Sequence, residues 1–152
     1  MNNIDLKYIY TDNFNLQEFA NSKDGNHIKL NLDLIFKLQE LRKIVGSINV
    51  TSGYRTPEFN ARKDVGGSKN SNHIKGLAAD IQFDFTIWNK QSLMKVLKYL
   101  GFKNVGFYWS GGYVGKNLFW IHLDIGEPHK GKFCVMDWNT RGKLIKMEGY
   151  ND

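Results

Sequence analysis

The sequence predicts an α+β fold in a single domain over residues 1–152, with helices packed on a mostly antiparallel sheet. Three observations predict it. Helical periodicity comes early, at 34–45, and returns once near 93–100. Short strand-like runs bounded by turn residues crowd the second half. The chain has 152 residues, 41% hydrophobic and 14% aromatic, which is enough for one core and leaves little room for a second domain. No internal repeat, low-complexity tract or linker interrupts it. The two prolines are Pro57 and Pro128, and the 15 glycines are dispersed.

Asn15 followed by Glu18 reads as a capping box opening a short helix near Leu16–Ala20. Asn31 caps a longer helix. Its apolar residues Leu34, Ile35, Leu38, Leu41 and Val45 recur at spacings of three and four, and Gly46 stops it. Ile48–Thr51 is short, β-branched and strand-like. Thr56-Pro57 is a cap and first-turn pair, predicting a brief helix over Glu58–Lys63. Gly66-Gly67 breaks the chain before a polar loop, Ser68–Asn72. Ala78–Phe83 reads as a strand. Leu93, Val96, Leu97 and Leu100 mark a helix ending at Gly101. Asn104–Trp109, Leu118–Ile125 and Phe133–Trp138 are strand-like, with Ser110-Gly111-Gly112 as a hairpin turn. Lys143–Met147 reads as an edge strand.

Lys and Arg number 21 against 15 Asp and Glu, a net charge of +6 and a pI near 9.3. A positive surface suits a polyanion, either nucleic acid or an anionic cell wall. The lysines are scattered and no nucleic-acid motif is present, so nucleic acid is not an expected partner. No apolar run approaches the roughly 18 residues of a membrane span. The opening MNNIDLKYIY lacks the basic and apolar segments of a secretory signal. Cys134 is the single cysteine, so an internal disulfide and a cysteine-based zinc finger are excluded. Its strand-like setting predicts a buried, inert thiol.

Four histidines are present: His27, His73, His122 and His129. A histidine taken alone is ordinarily a surface or hydrogen-bonded residue. Two settings here are unusual. Ser71-Asn72-His73-Ile74-Lys75-Gly76-Leu77-Ala78-Ala79-Asp80 puts a histidine on a polar loop and a carboxylate seven residues later, at a strand start. The small residues Gly76, Ala78 and Ala79 let the backbone fold tightly, so His73 and Asp80 can converge. In Phe119-Trp120-Ile121-His122-Leu123-Asp124, His122 and Asp124 share one strand face, while Ile121 and Leu123 share the other. His73, Asp80 and His122 together make a two-histidine, one-carboxylate set, which with an open fourth position suits catalytic zinc. Non-haem iron uses the same ligand types.

Several motifs follow in order: Ser52-Gly53-Tyr54-Arg55, Asn60, Val65-Gly66-Gly67, Asn70-Ser71-Asn72-His73, Gly76-Leu77-Ala78-Ala79-Asp80-Ile81 and Ile121-His122-Leu123-Asp124-Ile125-Gly126. This series resembles the M15 family of zinc peptidases, in the branch of the zinc D-Ala-D-Ala carboxypeptidase C-terminal domain, within the Hedgehog/DD-peptidase superfamily. The matched motifs cover about half the chain, from Ile48 to Gly126. Phe14–Phe19 and the helix before Gly46 also resemble the family's N-terminal portion. The resemblance implies a small α+β fold whose antiparallel sheet carries Zn2+, held by His73, Asp80 and His122. Arg55 matches the motif arginine that faces substrate, a role suited to a planar, permanently charged group, with a structural salt bridge as the alternative. Ser71 would order the His73 loop or touch substrate. Tyr54 and Tyr108 are hydrogen-bond donors or pocket wall.

One departure matters. Many family members carry a Glu or Asp three residues before the final histidine as general base. Here that position is Phe119. The remaining base candidates are Asp124, Asp84, Glu127 and His129. Asp124 is equally placed to orient a ligand imidazole. His129 either holds an oxyanion or shuttles a proton, or is an ordinary surface histidine.

The resemblance thus implies a zinc metallopeptidase that hydrolyses a peptide bond in the peptidoglycan stem, as a D,D-carboxypeptidase or an L-Ala-D-Glu-type endopeptidase. The alternative is a weak or inactive zinc module for wall recognition or a phage structural part, and Phe119 is its main support. Without a signal peptide, the expected enzyme is a monomeric phage or prophage product. It is made in the cytoplasm and acts at the bacterial wall.

Overall fold

Local chemistry sets the helical elements. In the computed structural model, which describes residues 11–21, 26–111, 117–129, 133–139 and 143–150, Asn15 and Glu18 form the reciprocal capping box. The element they open is a 3-10 turn, Leu16–Phe19. Helix α1 (Leu32–Val45) begins where the Asn31 side chain accepts from the Asp33 amide, and it ends at Gly46 with φ 87°. Helix α2 (Pro57–Asn60) has Thr56 as its cap and is shorter than its sequence implied. Helix α3 (Lys90–Tyr99) is capped by Asn89. Among the described residues, no helix is long and apolar enough to cross a membrane.

Six strands form one sheet: β1 (Asn49–Ser52), β2 (Ala78–Gln82), β3 (Asn104–Ser110), β4 (Asn117–Asp124), β5 (Phe133–Asn139) and β6 (Leu144–Tyr150). Their order across the sheet is β1-β2-β4-β3-β5-β6. The sheet is mixed, with four antiparallel pairings and one parallel one among the described residues. β3 pairs parallel with β5, and the other pairings are antiparallel. The reason lies in the β4–β5 connection. It passes the start of β3 and lays β5 on the far side of it, so β5 runs in the same direction as β3. Buried Asn104, the first residue of β3, staples this connection by donating to the Glu127 carbonyl and accepting from the His129 amide. The expected hairpin turn includes Gly112, which lies outside the described residues. The expected edge strand is β6.

Strand alternation divides the sheet into two faces. Ala79, Ile81, Val105, Phe107, Ile121, Leu123 and Val135 pack with Leu34, Leu38 and Leu41 of α1 and Leu93 and Leu97 of α3 in one core. Buried Cys134 lies on β5. The opposite face carries Asp80, His122 and Asp124, with Gly106 directly across from His122.

The turn bearing His73 is fixed by backbone. The Gly76 amide donates to the His73 carbonyl, the Leu77 amide to Asn72 and the Asn31 amide to Gly76. Gly76 has φ 71°, and a Cβ there would overlap the Lys29 carbonyl. Gly76→Ala is therefore expected to lose at least about 2 kcal/mol of stability in urea unfolding. A loss below about 0.5 kcal/mol would show that this close approach does not hold the turn.

Candidate metal centre

Three elements deliver three side chains to one point. The turn after Asn72 presents His73, the middle of β2 presents Asp80, and β4 presents His122 beside it through the Asp80–His122 register. His73 Nε2 lies 3.2 Å from Asp80 Oδ1 and 3.2 Å from His122 Nδ1. His122 Nδ1 lies 2.9 Å from the same Asp80 oxygen. One atom from each residue is thus close enough to the other two to share a single ion. His73 and Asp80 are buried, at 3% and 4% exposure, and His122 is partly buried.

The other nitrogen of each imidazole is held by a different group. His73 Nδ1 is 2.6 Å from the Gly53 carbonyl oxygen. His122 Nε2 is 3.0 Å from Asp124 Oδ2. Such partners fix which nitrogen faces a metal and in what orientation. Asp124, itself 1% exposed, also accepts from Asn104 Nδ2 at 2.7 Å and from the Gly126 amide at 3.1 Å. Its oxygens are therefore committed around His122. The donor set fits a divalent metal of the zinc type: two neutral imidazoles and one carboxylate, each oriented from behind.

Electrostatics follow from burial and pairing. Burial alone would raise the Asp80 carboxyl, but His73 and His122 overcome this and hold it well below the usual carboxylate range. Burial pushes His73 down. Burial also opposes charge on His122, yet its hydrogen bonds to Asp124 and Asp80 prevail and lift it to about 9. Asp124 is lowered: burial opposes this, and the His122 hydrogen bond outweighs it.

The remaining sequence candidates take distinct places. Arg55 donates from one terminal nitrogen to Asp80 Oδ2 at 2.6 Å and from Nε to the Ser52 hydroxyl at 3.0 Å. It thus stands on the outer oxygen of Asp80, in the salt bridge that was its structural alternative. The Ser71 hydroxyl accepts from the His73 amide at 3.2 Å and so caps the loop. Tyr108 stacks on Trp120 with centroids 3.4 Å apart and planes 12° apart, and on Trp138 at 5.9 Å and 7°. Burial pushes its phenol up, so it keeps its proton. Exposed His129 sits on the rim of the groove. Asp84 bonds its own turn through Thr86, and exposed Glu127 does not line the groove. Phe119 is 53% exposed and lines the groove, where the carboxylates among the described residues are Asp64, Asp80 and Asp124.

The groove over these residues measures about 920 Å³. Its lining includes the loop with Gly66, Gly67, Ser68 and Asn70 and the aromatic residues Phe119, Trp120, Tyr108 and Trp138. Sequence reasoning missed Asn104, whose partners lie 20 or more residues away and carry no local spacing signal. It also missed the Trp120 and Trp138 flanks of Tyr108, although the β-strand alternation of Trp120 with His122 pointed to the first.

Three outcomes follow for the metal-free protein and its loading. The raised His122 contributes stability that is fully present below about pH 6.5 and is lost as pH rises through about 9, so the metal-free Tm should fall across that window. Zinc must displace that proton, so zinc affinity should rise by about tenfold per pH unit over the same window. Asp124→Asn should weaken zinc binding by about 10- to 100-fold with the fold intact, measured by competition with a chromogenic chelator. Flat pH dependence together with unchanged affinity in that variant would contradict the geometry.

A family profile described as Peptidase M15 matches residues 7–124. No curated protein matches the chain. The match takes in the 3-10 turn, α1, the His73 turn and both ligand-bearing strands, and with it the chain belongs to the Peptidase M15 family.

Proposed function

We propose that this M15 peptidase is a zinc-dependent hydrolase of a peptide bond in the peptidoglycan stem, in a cell-wall lytic role of the phage or prophage kind. The observation that carries the proposal is the convergence of His73 Nε2, Asp80 Oδ1 and His122 Nδ1 at the floor of an open groove. These three residues would hold the metal. Bound there, it supplies a Lewis acid that polarises a carbonyl and acidifies water.

The chain's own groups do the rest. Gly53 and Asp124 fix the two imidazoles. Arg55 keeps Asp80 aimed by holding its second oxygen. The peptide would lie in the groove lined by the Gly66–Asn70 loop and the aromatic side chains. Asp124 is a positioning residue in this reading, because its oxygens are committed to His122, Asn104 and Gly126. Proton movement then falls to His129, the rim residue of the groove. The excess of cationic side chains favours approach to anionic wall polymers.

Phe119 favours a second reading, a zinc module that binds wall fragments without cutting them. It puts an aromatic face where other family members place a carboxylate. Peptide release from purified peptidoglycan, followed by mass spectrometry, separates the two readings. The peptidase releases fragments whose masses name the bond, and a chelator or His73→Ala abolishes release. His129→Ala should lower the rate by about 10²-fold or more while zinc stays bound. Zinc bound tightly with no fragment released from any wall would establish the binding module instead.

A further inference from the structure

The groove holds one protic side chain whose ring is clamped and whose hydroxyl is uncommitted. Tyr108 lies between Trp120 on β4 and Trp138 on β5, with all three rings nearly parallel. Its register partners on the two neighbouring strands are those same tryptophans. The ring therefore cannot swing across the sheet. It leans along β3 over Gly106, the residue paired with His122. A Cβ at Gly106 would lie 3.3 Å from Tyr108 Cε2 and 3.2 Å from His122 Cβ. Glycine there is what lets the phenol and the metal-site histidine sit side by side. Tyr108 lines the same groove as Asp80, Arg55 and His122. Among the described residues, that hydroxyl has no hydrogen-bond partner.

Arg55 is the residue expected to face substrate, and its bonds go to Asp80 and Ser52. An oxygen that gains negative charge beside the metal still needs a donor fixed in advance. We propose that Tyr108 is that donor: its hydroxyl hydrogen-bonds the carbonyl oxygen of the scissile peptide as the carbon becomes tetrahedral. This rests on the peptidase reading above. In the hydrolysis, the oxygen of water bonds to the carbonyl carbon, the C–N bond breaks, and the amine leaves with a proton taken from that water. Tyr108 donates a hydrogen bond throughout and keeps its own proton. The two tryptophans are positioning residues, since they act by holding the phenol.

The test is Tyr108→Phe, which keeps the ring and its stacking, beside Tyr99→Phe as a remote and exposed control. One readout is calorimetric titration of the zinc-loaded proteins with acetohydroxamate, a small probe that places an anionic oxygen at the metal. Tyr108→Phe should weaken the probe by about tenfold or more. Zinc affinity and Tm should match the wild type. The second readout is peptide release from peptidoglycan. There kcat should fall by about 10²-fold, with KM within threefold. Wild-type probe affinity and wild-type release in Tyr108→Phe would overturn the assignment. If the wild type releases no peptide but the probe still separates the variant, the peptidase reading fails and with it the role in hydrolysis, and Tyr108 stands only as a donor to an anionic oxygen at the site.

Discussion

The structure depends on one buried carboxylate. Asp80 sits in the middle of β2, between β1 and β4, at 4% exposure. A carboxylate taken out of water is costly unless it is paired and hydrogen-bonded. Its two oxygens meet that demand in different directions. The inner one faces both imidazoles, and the outer one faces Arg55. Removing any of these partners would leave the others with uncompensated charge in a low-dielectric pocket. The site therefore holds together as a unit, and the Gly53 carbonyl, Ser52, Asp124 and Asn104 each fix one member of it.

Close backbone approach is the second requirement. Gly53 packs on the backbone of the 3-10 turn, where a Cβ would meet Phe19 Cα at 2.5 Å. The same glycine turns its carbonyl to His73. Gly126 fits against the Asn72 side chain in the same manner. The glycines thus bring the loop, the sheet and the N-terminal segment within hydrogen-bond range of one another. The apolar core on the opposite face, built from α1, α3 and the inward-facing strand residues, supplies the rigidity that such placement requires.

Local order was legible in the sequence, because its causes are local. The Asn15–Glu18 box, the Asn31 cap and the 3.6-residue period of α1 each lie within a few residues of what they determine. The alternation of Ile121 and Leu123 with His122 and Asp124 gave the two faces of β4. The meeting of His73 with Asp80 was readable from the small residues between them. Pairings over distance were not readable. The parallel β3–β5 ladder depends on a connection passing the start of β3, and its staple, Asn104, carries no motif. The sequence left Asp124 open between two roles; its committed oxygens, seen only in three dimensions, favour positioning. Likewise Arg55 was expected to face substrate, and the salt bridge to Asp80 became visible only when β1 and β2 were paired.

The central claim is that one metal is held by three named atoms with Asp124 behind the third ligand. A crystal structure of the zinc-loaded protein, with anomalous diffraction collected at the zinc edge, tests it most directly. A single strong peak bonded to His73 Nε2, Asp80 Oδ1 and His122 Nδ1 is expected, with His122 Nε2 still on Asp124. A peak elsewhere, or coordination through His122 Nε2 with Asp124 displaced, would contradict it.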